Sequence, residues 1–383
     1  MQDKEKGKKK NRTMLSNEDG AAMVSRGLNC LIENAKNDAN CKRNPPHISH
    51  YRELPDNVKA AYAALSQGAS LVRASATKYS LMGTINKDEQ TVVGNDLLRG
   101  CELIGAGVHV TLQDSSGCSR AVRQYNQKAA LNVYLATLRL VEVFNPEIRN
   151  QSSSTPVTIT VAVAAAENNI GAQKTGVVWE SCDHILNKML PQGNRNAIRR
   201  ELFTWTRECN ATMEEFQAMI DLGPRETDDD EVEDKDVDEF DEDQYSECDF
   251  PIAVACLALI KNSRGNMKIA LETLEAVASE TQDDDDYLTS IKTIHCYARR
   301  VGMGVTDLGS MIYPPLFPQQ SSDLQAEVLR QVAAIVEFQD YILGLKKMSS
   351  KITELALTLK NAAENKRNDF TKALERCESI VEQ

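Results

Sequence analysis

Apolar side chains recur along this chain at alternating intervals of four and three residues, and that spacing limits the folds open to it more than any other feature. Val58, Tyr62, Leu65, Ala69, Val72, Ala76 and Tyr79 follow it without a break. At about 3.6 residues per turn, such intervals line the seven side chains along one helix face. Ile198, Leu202, Trp205, Cys209, Thr212, Phe216 and Met219 repeat the pattern, with Arg199, Arg200, Arg207, Glu208 and Glu215 on other faces. Leu324, Val328, Val332, Ile335, Phe338, Ile342 and Leu345 form a third stripe. Ile352, Leu355, Leu359, Ala362 and, after a gap, Phe370 and Cys377 form a fourth. Each stripe needs an apolar partner, so several together predict an all-α chain folded as two antiparallel helical bundles.

The punctuation agrees. Pro55 precedes the first stripe, near where a helix starts without an amide donor. "SSD" (321–323) offers capping groups, and "KKMSS" (346–350) splits the C-terminal pattern into helices near 322–346 and 350–382. "TPVTITVAV" (155–163) is rich in β-branched residues, but a single strand has no sheet to join, and the flanking helical pattern assigns it to a helix.

Charge is concentrated in one place. Between Asp228 and Asp249 stand fourteen carboxylates and one lysine, whereas the whole chain carries a net charge of −12, so the remainder is nearly neutral. No domain-wide positive field exists to release phosphate counterions, which argues against direct nucleic-acid binding. Gly223 and Pro224 suit a helix stop and Pro251 a helix start. Between them like charges repel, and apolar surface is scarce. The expected organisation is a disordered basic terminus at 1–20, an N-terminal bundle at 21–222, an acidic linker at 223–250 and a C-terminal bundle at 251–383. Linker residues Asp228, Asp229, Asp230, Glu231, Asp234, Asp236, Asp238, Glu239, Asp241, Glu242 and Asp243 are candidates for steering basic partners. Thr227 and Ser246 beside them are candidate phosphorylation sites. The basic cluster Lys4–Arg12 reads as a solvated terminus, with a nuclear address or a phosphate-binding arm as alternatives.

Chemistry is sparse. A calcium loop starting at Asp234 has Asp236 and Asp238 in place, but Glu239 stands where glycine is needed and Tyr245 where a bidentate glutamate is needed. His47, His50, His184 and His295 are dispersed and lack cysteines at metal-ligand spacing. "GAGVHV" (105–110) and "GMGVTD" (302–307) each miss the third glycine of a dinucleotide loop, and neither a G-x-S-x-G elbow nor a phosphate-binding loop occurs. The ten cysteines form no C-x-x-C pair, there is no apolar leader, and the longest apolar runs are too short to span a membrane. These features predict reduced thiols in a soluble cytoplasmic or nuclear chain, with no enzyme activity, metal or cofactor.

Binding remains. "MIYPPLFP" (311–318) suits either an extended ligand for an SH3 or WW module or a stiff corner in which Tyr313, Leu316 and Phe317 pack on a bundle. Trp179 and Trp205 are core anchors or contacts at a groove rim. With Arg99, Tyr313, Pro314 and Pro315 they make up the candidate partner-binding set.

"NDLLRGCELI" (95–104), "GVVWESCDHI" (176–185), the acidic linker, "PIAVACLALIKNSRG" (251–265) and "GSMIYPPL" (309–316) occur in this order. Their succession resembles the cyclin-D1-binding protein 1 family, also called Grap-two and cyclin-D-interacting or Maid-like proteins. The resemblance covers roughly residues 54–350, with 114–169 looking longer than the family's matching region. It implies an architecture similar to vinculin and catenin bundles, with a cleft between the halves. It also implies binding of D-type cyclins and helix-loop-helix transcription factors in cytoplasm and nucleus, restraining cell-cycle progression and transcription; the oligomeric state is open, with a monomer favoured. A cytoskeletal or membrane-adhesion scaffold is the alternative, since fold alone does not decide function. Direct DNA reading needs a basic helix running into a dimerising helix, and Lys4–Arg12 is separated from every strong stripe.

Overall fold

The computed structural model describes residues 17–40, 55–144, 161–187, 189–225, 244–280, 285–316, 321–346 and 348–381. Among them every regular element is helical and no strand occurs. The chain divides into two compact units, Met1–Ala197 and Ile198–Gln383.

The first unit holds α1 (Asn17–Asn40), α2 (Asp56–Ile85), α3 (Lys87–Leu112), α4 (Arg120–Val143) and α5 (Val161–Leu186). Six of the seven residues of the first stripe are buried on α2, and Tyr62 is half-buried. α2 and α3 form an antiparallel pair closed at Asn86, and their backbones touch. A Cβ added at Gly68 would lie 2.6 Å from the Gly100 carbonyl oxygen, and one added at Gly100 would lie 2.6 Å from Val72 Cγ2. Only glycine permits that approach. Leu65, Leu97, Ile104, Val133, Leu140, Val178 and Cys182 fill the core beside this pair. α4, from the 114–169 region, is central to that core. It opens at Ser119, whose Oγ accepts the Val122 amide at 3.4 Å. Val161–Val163, the described end of the β-branched run, is helical, and 155–160 lies outside the described residues.

The second unit holds most of α6 (Asn194–Asp221), then α7 (Asp249–Glu280), α8 (Asp285–Met311), α9 (Ser321–Gly344) and α10 (Ser350–Val381). α7 to α10 alternate in direction. Arg300 on α8 meets Glu337 on α9, Lys360 on α10 meets Asp340 on α9, and Asn262 on α7 meets Leu359 on α10. The third stripe is buried up to Ile342. On α10 the buried face is rotated from the predicted one: Ala356 and Ala363 are fully buried, while Leu355, Leu359 and Ala362 are half-buried.

A run of buried amides crosses this core. Asn262 Nδ2 donates to the Leu359 carbonyl at 2.9 Å, and Asn266 Nδ2 donates to Asn262 Oδ1 at 2.8 Å. Gln339 Nε2 donates to Asn266 Oδ1. Gln331 Nε2 donates to Ser263 Oγ and to the Val301 carbonyl, both at 2.9 Å. These bonds join all four helices of the bundle.

Two expectations change. The division falls at 197/198, not at the acidic run, because the α6 stripe packs on α7 and α8. Trp205 lies against Gly302, Phe216 against Tyr313, and Arg199 is 3.6 Å from Glu275. Both flanks of the acidic run therefore belong to one unit. Gly223, with φ of 80°, turns the chain after α6, and the Arg225 amide donates to the Tyr245 carbonyl at 2.8 Å. The run leaves and re-enters at neighbouring points, so it does not bridge two bundles. Linker residues from Asp228 to Asp243 lie outside the described residues, as does Lys4–Arg12. Cysteine pairing is the second change: Cys248 and Cys377 are joined by a disulfide, against the expectation of reduced thiols throughout.

Candidate partner-binding surfaces

In the first unit the candidates are exposed. Arg99 is exposed on α3 and Trp179 on α5; both helices pack on α2. Trp179 is 39% exposed, too open for a core anchor. The Arg73 guanidinium on α2 sits 5.8 Å above its ring, and Arg73 Nε is 3.1 Å from Asp183 Oδ1. The charge pair thus holds an aromatic face at the surface, the chemistry of a protein-contact anchor. Spacing alone did not single out Arg73 and Asp183, because their relation to Trp179 depends on how α2 and α5 pair.

In the second unit Trp205 is half-buried, lies against Gly302 and stacks on His295 with ring centroids 5.8 Å apart. His295 Nε2 is 2.5 Å from Glu201 Oε2. This cluster fixes α6 on α8, a packing role. "GMGVTD" is part of α8, and Gly302 serves close packing there.

The proline corner is built into the fold. Tyr245 is fully buried, and its hydroxyl donates to the Ile312 carbonyl at 2.6 Å. The Leu316 amide and Ser246 hydrogen-bond Asp249, while burial raises its carboxyl above the ordinary aspartate range. Tyr313 packs on Phe216 at 4.9 Å and donates to Glu215 Oε1 at 2.6 Å. That bond, then desolvation, raises the Tyr313 hydroxyl. The Pro314–Pro315 bond is cis. A corner clamped in this way is not a free extended ligand, although Tyr313 keeps 44% of its surface exposed. Tyr245 was legible only as a misfit in the calcium-loop pattern. Its aromatic ring amid carboxylates was the signal.

No group of three or more His, Cys, Asp or Glu residues converges as a metal site among the described residues. No described helix is long and apolar enough to cross a membrane.

The exposed Trp179 and the signatures at 95–104 and 176–185 fall in one stretch of the chain that comparison singles out. Residues 64–222 match the family described as Grap2 and cyclin-D-interacting, N-terminal. The match agrees with the resemblance to cyclin-D1-binding protein 1 relatives and identifies a protein-interaction family. The matched region runs from within α2 to the end of α6 and includes Arg99, Trp179 and Trp205. The acidic run and Tyr313–Pro315 lie beyond it. No curated protein gives a significant match to the chain.

Proposed function

We propose that the chain is a non-enzymatic helical adaptor that binds D-type cyclins or related cell-cycle proteins and helix-loop-helix transcription factors. It restrains cell-cycle progression and transcription by occupancy, since a bound regulator is withheld from its own partners. It works as a monomer in cytoplasm and nucleus. The observation that carries this proposal is the match of residues 64–222 to a cyclin-D-interacting family. Trp179, displayed by Arg73 and Asp183, supports it as a contact anchor within the matched region.

The test is capture of purified D-type cyclin and of a helix-loop-helix protein by the full chain. Trp179→Ala is expected to weaken capture by about tenfold or more with unchanged helical content by circular dichroism. Absence of binding to both partners overturns the proposal. Binding that ignores Trp179 moves the contact elsewhere in the matched region.

A further inference from the structure

Five described cysteines, Cys101, Cys118, Cys182, Cys209 and Cys256, are buried and unpaired. Burial pushes the Cys182 and Cys209 thiols up to about 12 and raises Cys101, Cys118 and Cys256 as well. Such groups are poor nucleophiles and poor partners for exchange. Cys30 and Cys296 are exposed but stand in different units.

Cys248 and Cys377 differ from all of these. Both are half-buried, their Cα atoms are 5.1 Å apart, and a disulfide joins them. Cys248 immediately precedes α7, and Cys377 lies near the end of α10. Those helices pack antiparallel, so the bond ties the entry of the four-helix bundle to its exit. Leu374 is the last buried side chain described on α10, and Glu375, Arg376, Glu378 and Ser379 are exposed. Beyond Leu374 this bond ties the described end of the helix to the start of α7. A half-buried pair at the mouth of a bundle is open to small thiols in a way that the five core cysteines are not.

We propose that Cys248 and Cys377 form a reversible modification site, a dithiol that exchanges with low-molecular-weight disulfides such as glutathione disulfide and thereby locks or releases the end of α10. In oxidation one cysteine thiolate attacks a sulfur of glutathione disulfide. One glutathione thiolate leaves and takes up a proton, and a mixed disulfide remains on the protein. The second cysteine, after losing its proton, attacks the protein sulfur of that mixed disulfide and expels the second glutathione. Two protein thiols and one glutathione disulfide become one protein disulfide and two glutathione molecules, and reduction reverses the steps. The proposal concerns residues outside the family-matched region and does not depend on which partner the protein binds.

The full chain, equilibrated in glutathione buffers of graded reduced-to-oxidised ratio, tests this by maleimide tagging and peptide mapping. Cys248 and Cys377 are expected to become protected together with one midpoint inside the range of cellular glutathione buffers, while the five core cysteines remain thiols. Native trypsin is expected to cut after Lys372 and Arg376 about tenfold faster in the reduced state, where the last turns fray. Cys377→Ser should be cut at the fast rate in every buffer. Separate protection of the two cysteines, pairing with another cysteine, a bond that survives the most reducing buffer, or equal tryptic rates would each overturn the proposal. The wild-type chain in its two redox states carries the comparison, so a variant that fails to fold leaves the test standing.

Discussion

The two units solve one problem by opposite means. Both must hold helices in a single register, because apolar stripes alone tolerate sliding. In the first unit α2 and α3 are set by contact of backbone on backbone at Gly68 and Gly100, a fit that any side chain would break. In the second, Asn262, Asn266, Gln331 and Gln339 set the helices by directional bonds inside the core. Steric fit penalises a slip through overlap, and buried amides penalise it through unpaired polar groups. Polar core residues serve specificity in some bundles, and here they connect four helices whose apolar stripes are otherwise similar.

Substitutions can break this contrast one side at a time. Trp179 reports on the first unit and Trp205 on the second, so single-tryptophan versions made with Trp205→Phe or Trp179→Phe resolve the units in denaturant, where a two-state treatment of the whole chain would fail. Gly100→Leu has the largest expected effect, about 3 kcal/mol of destabilisation, seen by Trp179 and not by Trp205. Gln331→Leu removes the amide that donates to Ser263 Oγ and to the Val301 carbonyl and should cost about 2 kcal/mol, seen by Trp205. Joint replacement of Asn266 and Gln339 by leucine should cost less than Asn266→Leu alone, because Gln339 Nε2 is no longer left without its acceptor, while Asn262 Oδ1 loses its donor in both. If the double variant is instead the worst, the amides contribute more than register. Tyr245→Phe removes the hydroxyl bond to the Ile312 carbonyl and should cost about 1 kcal/mol.

A smaller effect concerns pH. Burial raises the Glu327 carboxyl above the ordinary glutamate range, Arg330 opposes that shift and Asp307 adds to it. The folded state then holds its proton at pH values where the unfolded state has released it. Stability therefore falls as pH rises from the ordinary glutamate pKa through the raised folded value. Melting curves of Glu327→Gln should show a flatter dependence over that window. Smallest of all is the effect of cutting the acidic run. A glutamate-specific protease acting between residues 226 and 243 should leave two fragments that co-elute under native conditions and separate only in denaturant, because α6 packs on α7 and α8. Native separation would restore the inter-bundle linker.

Much of the helical framework was legible because burial follows spacing. The breaks at Gly223, at 346–350 and before Asp56 were visible for the same reason. The amides were not singled out, although Gln331 and Gln339 interrupt the apolar side of the third stripe, since a polar residue near a stripe is usually solvated. Which body α6 joins was hidden because its stripe is equally ready for either half. The Cys248–Cys377 pairing could not be read from spacing, as the two lie 129 residues apart. Of the candidate contacts, Trp179 and Tyr313 could be nominated from sequence, but their settings, Arg73 with Asp183 and Glu215 with Phe216, depend on helices that meet only after folding.

The amide of Arg225 bonded to the carbonyl of Tyr245 turns the carboxylate-rich stretch into a pendant whose two stems share one root. A pendant's length sets no distance within the body that carries it. Doubling the number of residues between the stems adds only about 0.6 kcal/mol of closure entropy. This is therefore a position where a fluorescent reporter or a purification handle can be spliced in without moving the helices at its base.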